Sequence, residues 1–123
     1  MEQIFSTSSV VTTLQLVEGR LEAELKELML KRAPLEAVGL ILSTGLVVEL
    51  KNYSTTPEKT YEVRRSDIMV ALEGEVDQTQ VVFWHSHPGG GIGPSRIDLQ
   101  NKTPFHSHLV VSLVDGDMVS SWY

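Results

Sequence analysis

One stretch limits what this chain can fold into: Trp84-His85-Ser86-His87-Pro88, then Gly89-Gly90-Gly91-Ile92-Gly93-Pro94, then Ser95-Arg96-Ile97-Asp98. It is entered through Val81-Val82-Phe83-Trp84, an apolar run of strand length with β-branched and aromatic residues. Residues two apart on a strand point to one face, so His85 and His87 project side by side. Two imidazoles at that spacing can both reach one metal ion. Pro88 cannot continue a central strand, and the three glycines after it permit a sharp return of the chain. Ser95 and Asp98 are spaced as neighbours on one helical turn. A loop that carried Asp98 back to the histidines would assemble two nitrogens and one oxygen. With water as a fourth ligand, that is the donor set of an open, catalytic zinc site, not a closed structural one.

Composition narrows the chemistry further. The 123 residues contain no cysteine. Disulfides and thiolate zinc sites are thereby excluded, and histidine and carboxylate are left as the strong metal ligands. The length suits one domain over residues 1–123, with residues 1–9, polar and rich in Ser and Thr, as a flexible lead-in or a weak edge. The net charge of −6 is scattered and no basic stripe is present, so nucleic acid is not an expected partner. No apolar run is long enough to span a membrane, and Met1-Glu2-Gln3 lacks the basic start of a signal peptide. The absence of cysteine suits a reducing cytoplasm, and a cytoplasmic protein is the expectation.

Taken in order, residues 10–17 read as a strand, with Val10, Thr12, Leu14 and Leu16 on one face. Residues 18–32 read as a helix, with Leu21, Leu25 and Leu28 at helical spacing, Lys31 and Arg32 in the last turn, and Pro34 as its stop. Residues 37–42 form a buried strand, and a Ser43-Thr44-Gly45 turn leads to a returning strand over 46–50. A loop over 52–59 precedes a short strand over 60–63. A helix starts at Ser66-Asp67 and runs to Glu75. After the histidine strand and the glycine loop come a short helix over 96–101 and a hairpin of 108–114 and 118–123 around Asp115-Gly116-Asp117. This alternation implies an α/β domain around a mixed sheet.

His85-x-His87-Pro88, six residues, then Ser95-x-x-Asp98 resembles the metal motif of the JAMM (MPN+) zinc metallopeptidases. That family also carries a glutamate early in a segment like Pro34-Leu35-Glu36-Ala37-Val38-Gly39-Leu40-Ile41-Leu42. The resemblance implies the cytidine-deaminase-like α/β sandwich of MPN domains, with helices flanking a mixed sheet. It implies Zn²⁺ on His85, His87 and Asp98, Glu36 as general base, and Ser95 as a hydroxyl that supports the oxyanion. The implied reaction is hydrolysis of a peptide or isopeptide bond in a protein or peptide substrate. The compact core and the Pro-Gly-Gly-Gly loop are similar to prokaryotic and phage tail-assembly members, which points to a ubiquitin-like or phage tail protein as substrate. The oligomeric state is not indicated.

Each feature also has a plainer description. Ser-x-x-Asp is close to a capping box, in which Ser95 caps the helix and Asp98 answers its amides; a capped turn would also hold an acidic residue rigidly. Glu36 without the motif reads as a solvated residue between a helix and a strand. The glycine run lacks a P-loop lysine and is not a phosphate cradle. His106-Ser107-His108 is a second His-x-His pair, but no Ser-x-x-Asp follows it, and it reads as the start of a strand. Trp84 faces away from His85 into the core, and Trp122-Tyr123 read as packing. The rival function is a non-catalytic MPN-type scaffold of an assembly. A zinc deaminase needs a Pro-Cys-x-x-Cys pair, which a chain without cysteine cannot supply.

Overall fold

The computed structural model describes residues 18–100, 103–105 and 107–123. The strand expected over 10–17 and the lead-in over 1–9 lie outside the described residues. Helix α1 (Glu18–Arg32) is followed by β1 (Val38–Ile41), β2 (Val47–Leu50) and α2 (Arg65–Ala71). Then come a 3-10 turn (Gln78–Gln80), β3 (Val82–His87), α3 (Arg96–Gln100), β4 (Ser107–Val114) and β5 (Asp117–Trp122). The strands make one five-stranded sheet in the order β2-β1-β3-β4-β5. Only the β3–β4 pair is parallel, and the other three pairs are antiparallel. The sheet is mixed, with α1 packed on one face and α2 on the other. This is the α/β architecture expected from the element order.

Strand β3 lies at the centre and divides its side chains between two cores. Val82 and Trp84 face α1, joining Leu21, Leu25 and Met29, which lie one above another at i, i+4 and i+8. Leu28 is only partly buried, so Met29 holds the central place instead. Phe83 points the other way, to Val38, Leu40 and Leu50 beneath Ile68 and Leu72 of α2 and its C-terminal turn. His85 and His87 continue the Phe83 face by the same alternation. The indole of Trp84 donates to the Leu40 carbonyl at 3.3 Å. This closeness needs Gly39: a Cβ there would sit 2.0 Å from the Val48 carbonyl oxygen and 2.9 Å from Trp84 Nε1.

Two segments differ from expectation, each for a local reason. Residues 60–63 form no strand. The Asn52 side chain replaces a ladder there, accepting from Ser54 and Glu62 amides and donating to the Glu36 and Thr60 carbonyls. Helix α2 ends at Ala71, not near Glu75, because Gly74 takes φ +82° and Glu75 turns to the Ser43 amide and hydroxyl. Asn101 at the end of the third expected helix lies outside the described residues. The final hairpin turns through Asp115 (φ 51°) and Gly116 (φ 86°), the two positive angles of a type I′ turn.

Two outcomes follow for stability. Gly39→Ala forces a methyl against backbone and should cost about 3 kcal/mol or more, read as a lower denaturation midpoint at unchanged slope. Partial burial opposes ionisation of Glu75, but Ser43 and nearby backbone amides outweigh it and lower its pKa. A depressed carboxyl stabilises the fold above its unfolded pKa of about 4.3 and loses that contribution as pH falls through the folded value. Glu75→Gln should therefore remove part of the acid-induced loss of stability, seen as a flatter midpoint-against-pH curve below about pH 4.5.

Candidate metal centre

The end of β3 and the start of α3 bring three nitrogen and oxygen atoms together. His85 Nε2 lies 3.0 Å from Asp98 Oδ2, His87 Nε2 lies 3.1 Å from the same oxygen, and the two nitrogens are 3.3 Å apart. His85 and Asp98 are buried, and His87 is partly so. Glu36 reaches the group from the chain entering β1. Strand β1 runs antiparallel to β3 with Val38 opposite His85. Past the strand end, Ser86 donates its amide to the Ala37 carbonyl and accepts the Ala37 amide on Oγ. That register sets Glu36 opposite His87, with Oε2 3.8 Å from Nε2. The Glu36 backbone is tied on both sides, its amide to Pro57 and its carbonyl to Asn52.

The charges are coupled through burial. Burial pushes the Glu36 carboxyl up to about 7, with His87 opposing the rise and Asp98 adding to it. Burial works against Asp98 too, but the hydrogen bonds of His85 and His87 outweigh it and hold that carboxyl well below its ordinary range. Burial lowers His85, with Asp98 opposing. The Asp98 hydrogen bond raises His87, against desolvation. Asp98 is thus the settled anion of the group, and Glu36 is the carboxyl whose proton is mobile near neutrality.

Do these residues suit a metal? Ligand atoms about 2.0–2.1 Å from one tetrahedral zinc stand about 3.3 Å apart. The separations of His85 Nε2, His87 Nε2 and Asp98 Oδ2 lie close to that edge. Glu36, His85 and His87 also offer ligand atoms within 4.8 Å of one another. Glu36 Oε1 is buried without a hydrogen-bond partner, although a buried polar atom is normally paired. An orphaned oxygen beside a converged donor set fits a site that takes a cation and its water.

Ser95 enters mainly through its capping geometry. Its amide donates to Asp98 Oδ2 at 2.7 Å, and its Oγ accepts the Asp98 amide at 3.1 Å. This reciprocal pair is the capping-box description, and it aims the Asp98 carboxylate. The Ser95 hydroxyl proton is not used by that pair. His108 is buried on β4 with Nε2 2.7 Å from Thr103 Oγ1, and His106 lies outside the described residues.

Several supporting groups were not visible as such in the sequence. His87 Nδ1 donates to the Gly91 carbonyl at 3.1 Å, and Ser112 Oγ donates to the same carbonyl. The glycine loop is therefore held in place at Gly91. The Tyr123 hydroxyl lies 3.3 Å from His85 Nδ1, and the Tyr61 ring packs on His85 with centroids 4.7 Å apart. Burial pushes both phenols above their ordinary range. No local pattern marks these residues, since the pairing of β4 with β5 brings Tyr123 near His85 and the loop before α2 brings Tyr61 there. Beside Asp98 opens a cleft of about 500 Å³, lined by Ser54, Thr56, Thr60, Tyr61 and Ile97 among others.

A family model described as prokaryotic homologs of the JAB domain matches residues 19–123. The chain belongs to that family, and its five-stranded mixed sheet with helices on both faces is the MPN-like fold. No curated protein and no solved structure matches the chain. No described helix is long and apolar enough to cross a membrane.

The cap makes its own prediction. In metal-free protein, Ser95→Ala should lower stability by about 1 kcal/mol and Ser95→Thr should restore most of it, measured by chemical denaturation.

Proposed function

We propose that this protein is a zinc-dependent JAMM-type metallopeptidase that hydrolyses a peptide or isopeptide bond. The observation that carries the reading is the convergence of His85 Nε2, His87 Nε2 and Asp98 Oδ2 within 3.3 Å, with an unpartnered Glu36 oxygen beside them. In this reading His85, His87 and Asp98 hold Zn²⁺. When bound, zinc polarises a carbonyl and makes a water acidic near neutral pH. Glu36 accepts the proton of the attacking water and delivers it to the leaving amine. Its buried position and tied backbone keep the carboxyl within reach of both events. Ser95, whose hydroxyl proton the cap does not use, donates to the developing oxyanion.

The substrate is a protein or peptide. The compact chain and its membership of a prokaryotic family support a ubiquitin-like or phage tail protein, met in the cytoplasm of a bacterium or of a phage's host. The rival reading is a scaffold of an assembly that keeps the metal for stability; the retention of all four acidic and imidazole groups in one cluster favours the enzyme.

Elemental mass spectrometry of the purified full chain should find about one zinc per molecule, lost in His87→Ala. Incubated with a denatured protein digest and with isopeptide-linked conjugates, the wild type should generate new amino termini or free lysines. Glu36→Gln should keep its zinc but lose on the order of 10²-fold or more of that activity. Absence of zinc uptake, or full cleavage by Glu36→Gln, would overturn the proposal. Zinc without cleavage, and a biological role that survives Glu36→Ala, would favour the scaffold.

A further inference from the structure

The two histidines are held from behind by different kinds of partner. His87 Nδ1 faces the Gly91 carbonyl at 3.1 Å. A carbonyl only accepts, so it keeps the Nδ1 proton on His87 and presents Nε2 to the cluster. His85 Nδ1 faces the Tyr123 hydroxyl at 3.3 Å. A phenol both donates and accepts. His85 is fully buried, so its Nδ1 has little recourse to water and needs such a partner.

We propose that Tyr123 is a positioning residue for the metal centre, its hydroxyl holding the Nδ1 edge of His85 so that Nε2 faces Asp98 and His87. The inference rests on the metal reading above and goes beyond it by assigning a task to the last strand's tyrosine. With the His85 proton on Nε2, directed to Asp98, the Tyr123 hydroxyl donates to Nδ1. With the Nε2 lone pair given to a metal, the proton sits on Nδ1 and the same hydroxyl accepts it. One partner therefore serves both tautomers without moving the ring. A carbonyl or a carboxylate in its place could serve only one.

The ring of Tyr123 is placed by contacts that do not need the hydroxyl. Its amide donates to the His108 carbonyl at 3.0 Å, extending the β4–β5 ladder by one step beyond Leu109–Trp122. Its ring packs against His108, centroids 5.1 Å apart, and meets His85 edge-on at 6.0 Å and 86°. Across the sheet, Phe83 is opposite His108 in the β3–β4 register, so Tyr123 reaches His85 over β4. The Tyr61 ring also packs on His85, with centroids 4.7 Å apart. Removing the hydroxyl alone should leave this packing in place and release Nδ1.

The test compares zinc affinity of the full-length wild type, Tyr123→Phe and Trp122→Phe, by competition with a chromophoric chelator. Circular dichroism checks that each variant is folded. Loss of an outer hydrogen bond to a metal-ligating histidine typically weakens binding 10–100-fold. Tyr123→Phe should fall in that range, with Trp122→Phe unchanged. Equal affinity of Tyr123→Phe and wild type would overturn this inference while leaving the metal reading intact. A wild type that takes up no zinc would overturn both. If Tyr123→Phe does not fold, nitrogen-15 shifts of His85 in the zinc-loaded wild type decide the matter. A protonated Nδ1 supports the assignment, and an Nδ1 that binds the metal overturns it.

Discussion

The antiparallel pairing of β1 with β3 is the constraint on which the rest of the structure depends. It sets Val38 opposite His85 and, one pair further on, Ala37 beside Ser86 through an amide–carbonyl bond and an amide–hydroxyl bond. The next pair is Glu36 and His87. A carboxylate from an early segment is thus delivered to histidines about fifty residues later with no side-chain search. The pairing is close because Gly39 has no side chain where the Trp84 indole and the Val48 carbonyl come together. A slip of one residue would turn Glu36 and both histidines to opposite faces of the sheet.

Burial then assigns the chemistry. Two carboxylates lie near the same pair of imidazoles, but their surroundings drive them apart. Asp98 receives hydrogen bonds from His85, His87 and the Ser95 amide, which keep it ionised. Glu36 has a comparable degree of burial, a more distant histidine and one oxygen without a partner, so desolvation dominates. Separation of neighbouring acids by environment is a general route to distinct acid and base roles. The cap at Ser95 and the donor set at Asp98 are one arrangement, because the hydrogen bonds that start α3 also aim its carboxylate.

The outer groups show how a small domain stiffens such a site. Ser112 and the Gly91 carbonyl fasten the glycine loop behind His87, while Tyr61 and Tyr123 enclose His85. These contributions come from β4, the residue that follows β5, the glycine loop and the loop before α2. All of them reach the end of β3 because it is the central strand, flanked by β1 on one side and β4 on the other.

Much of this was legible in the sequence, and the divide has a physical basis. The helix over 18–32, the strand of Phe83, His85 and His87, the terminal hairpin and the turn of Trp84 away from His85 into the core follow from periodicities of 3.6 and 2, which are local. The histidine pair and the Ser-x-x-Asp step were readable for the same reason. The short strand expected over 60–63 and the longer second helix failed where a single distant side chain, Asn52 or Glu75, supplied the backbone's hydrogen bonds instead. The strand order, the facing of Glu36 to His87 and the approach of Tyr123 to His85 belong to the tertiary structure alone. They depend on which strands pair and in what register, and that is decided by burying both faces of one sheet at once.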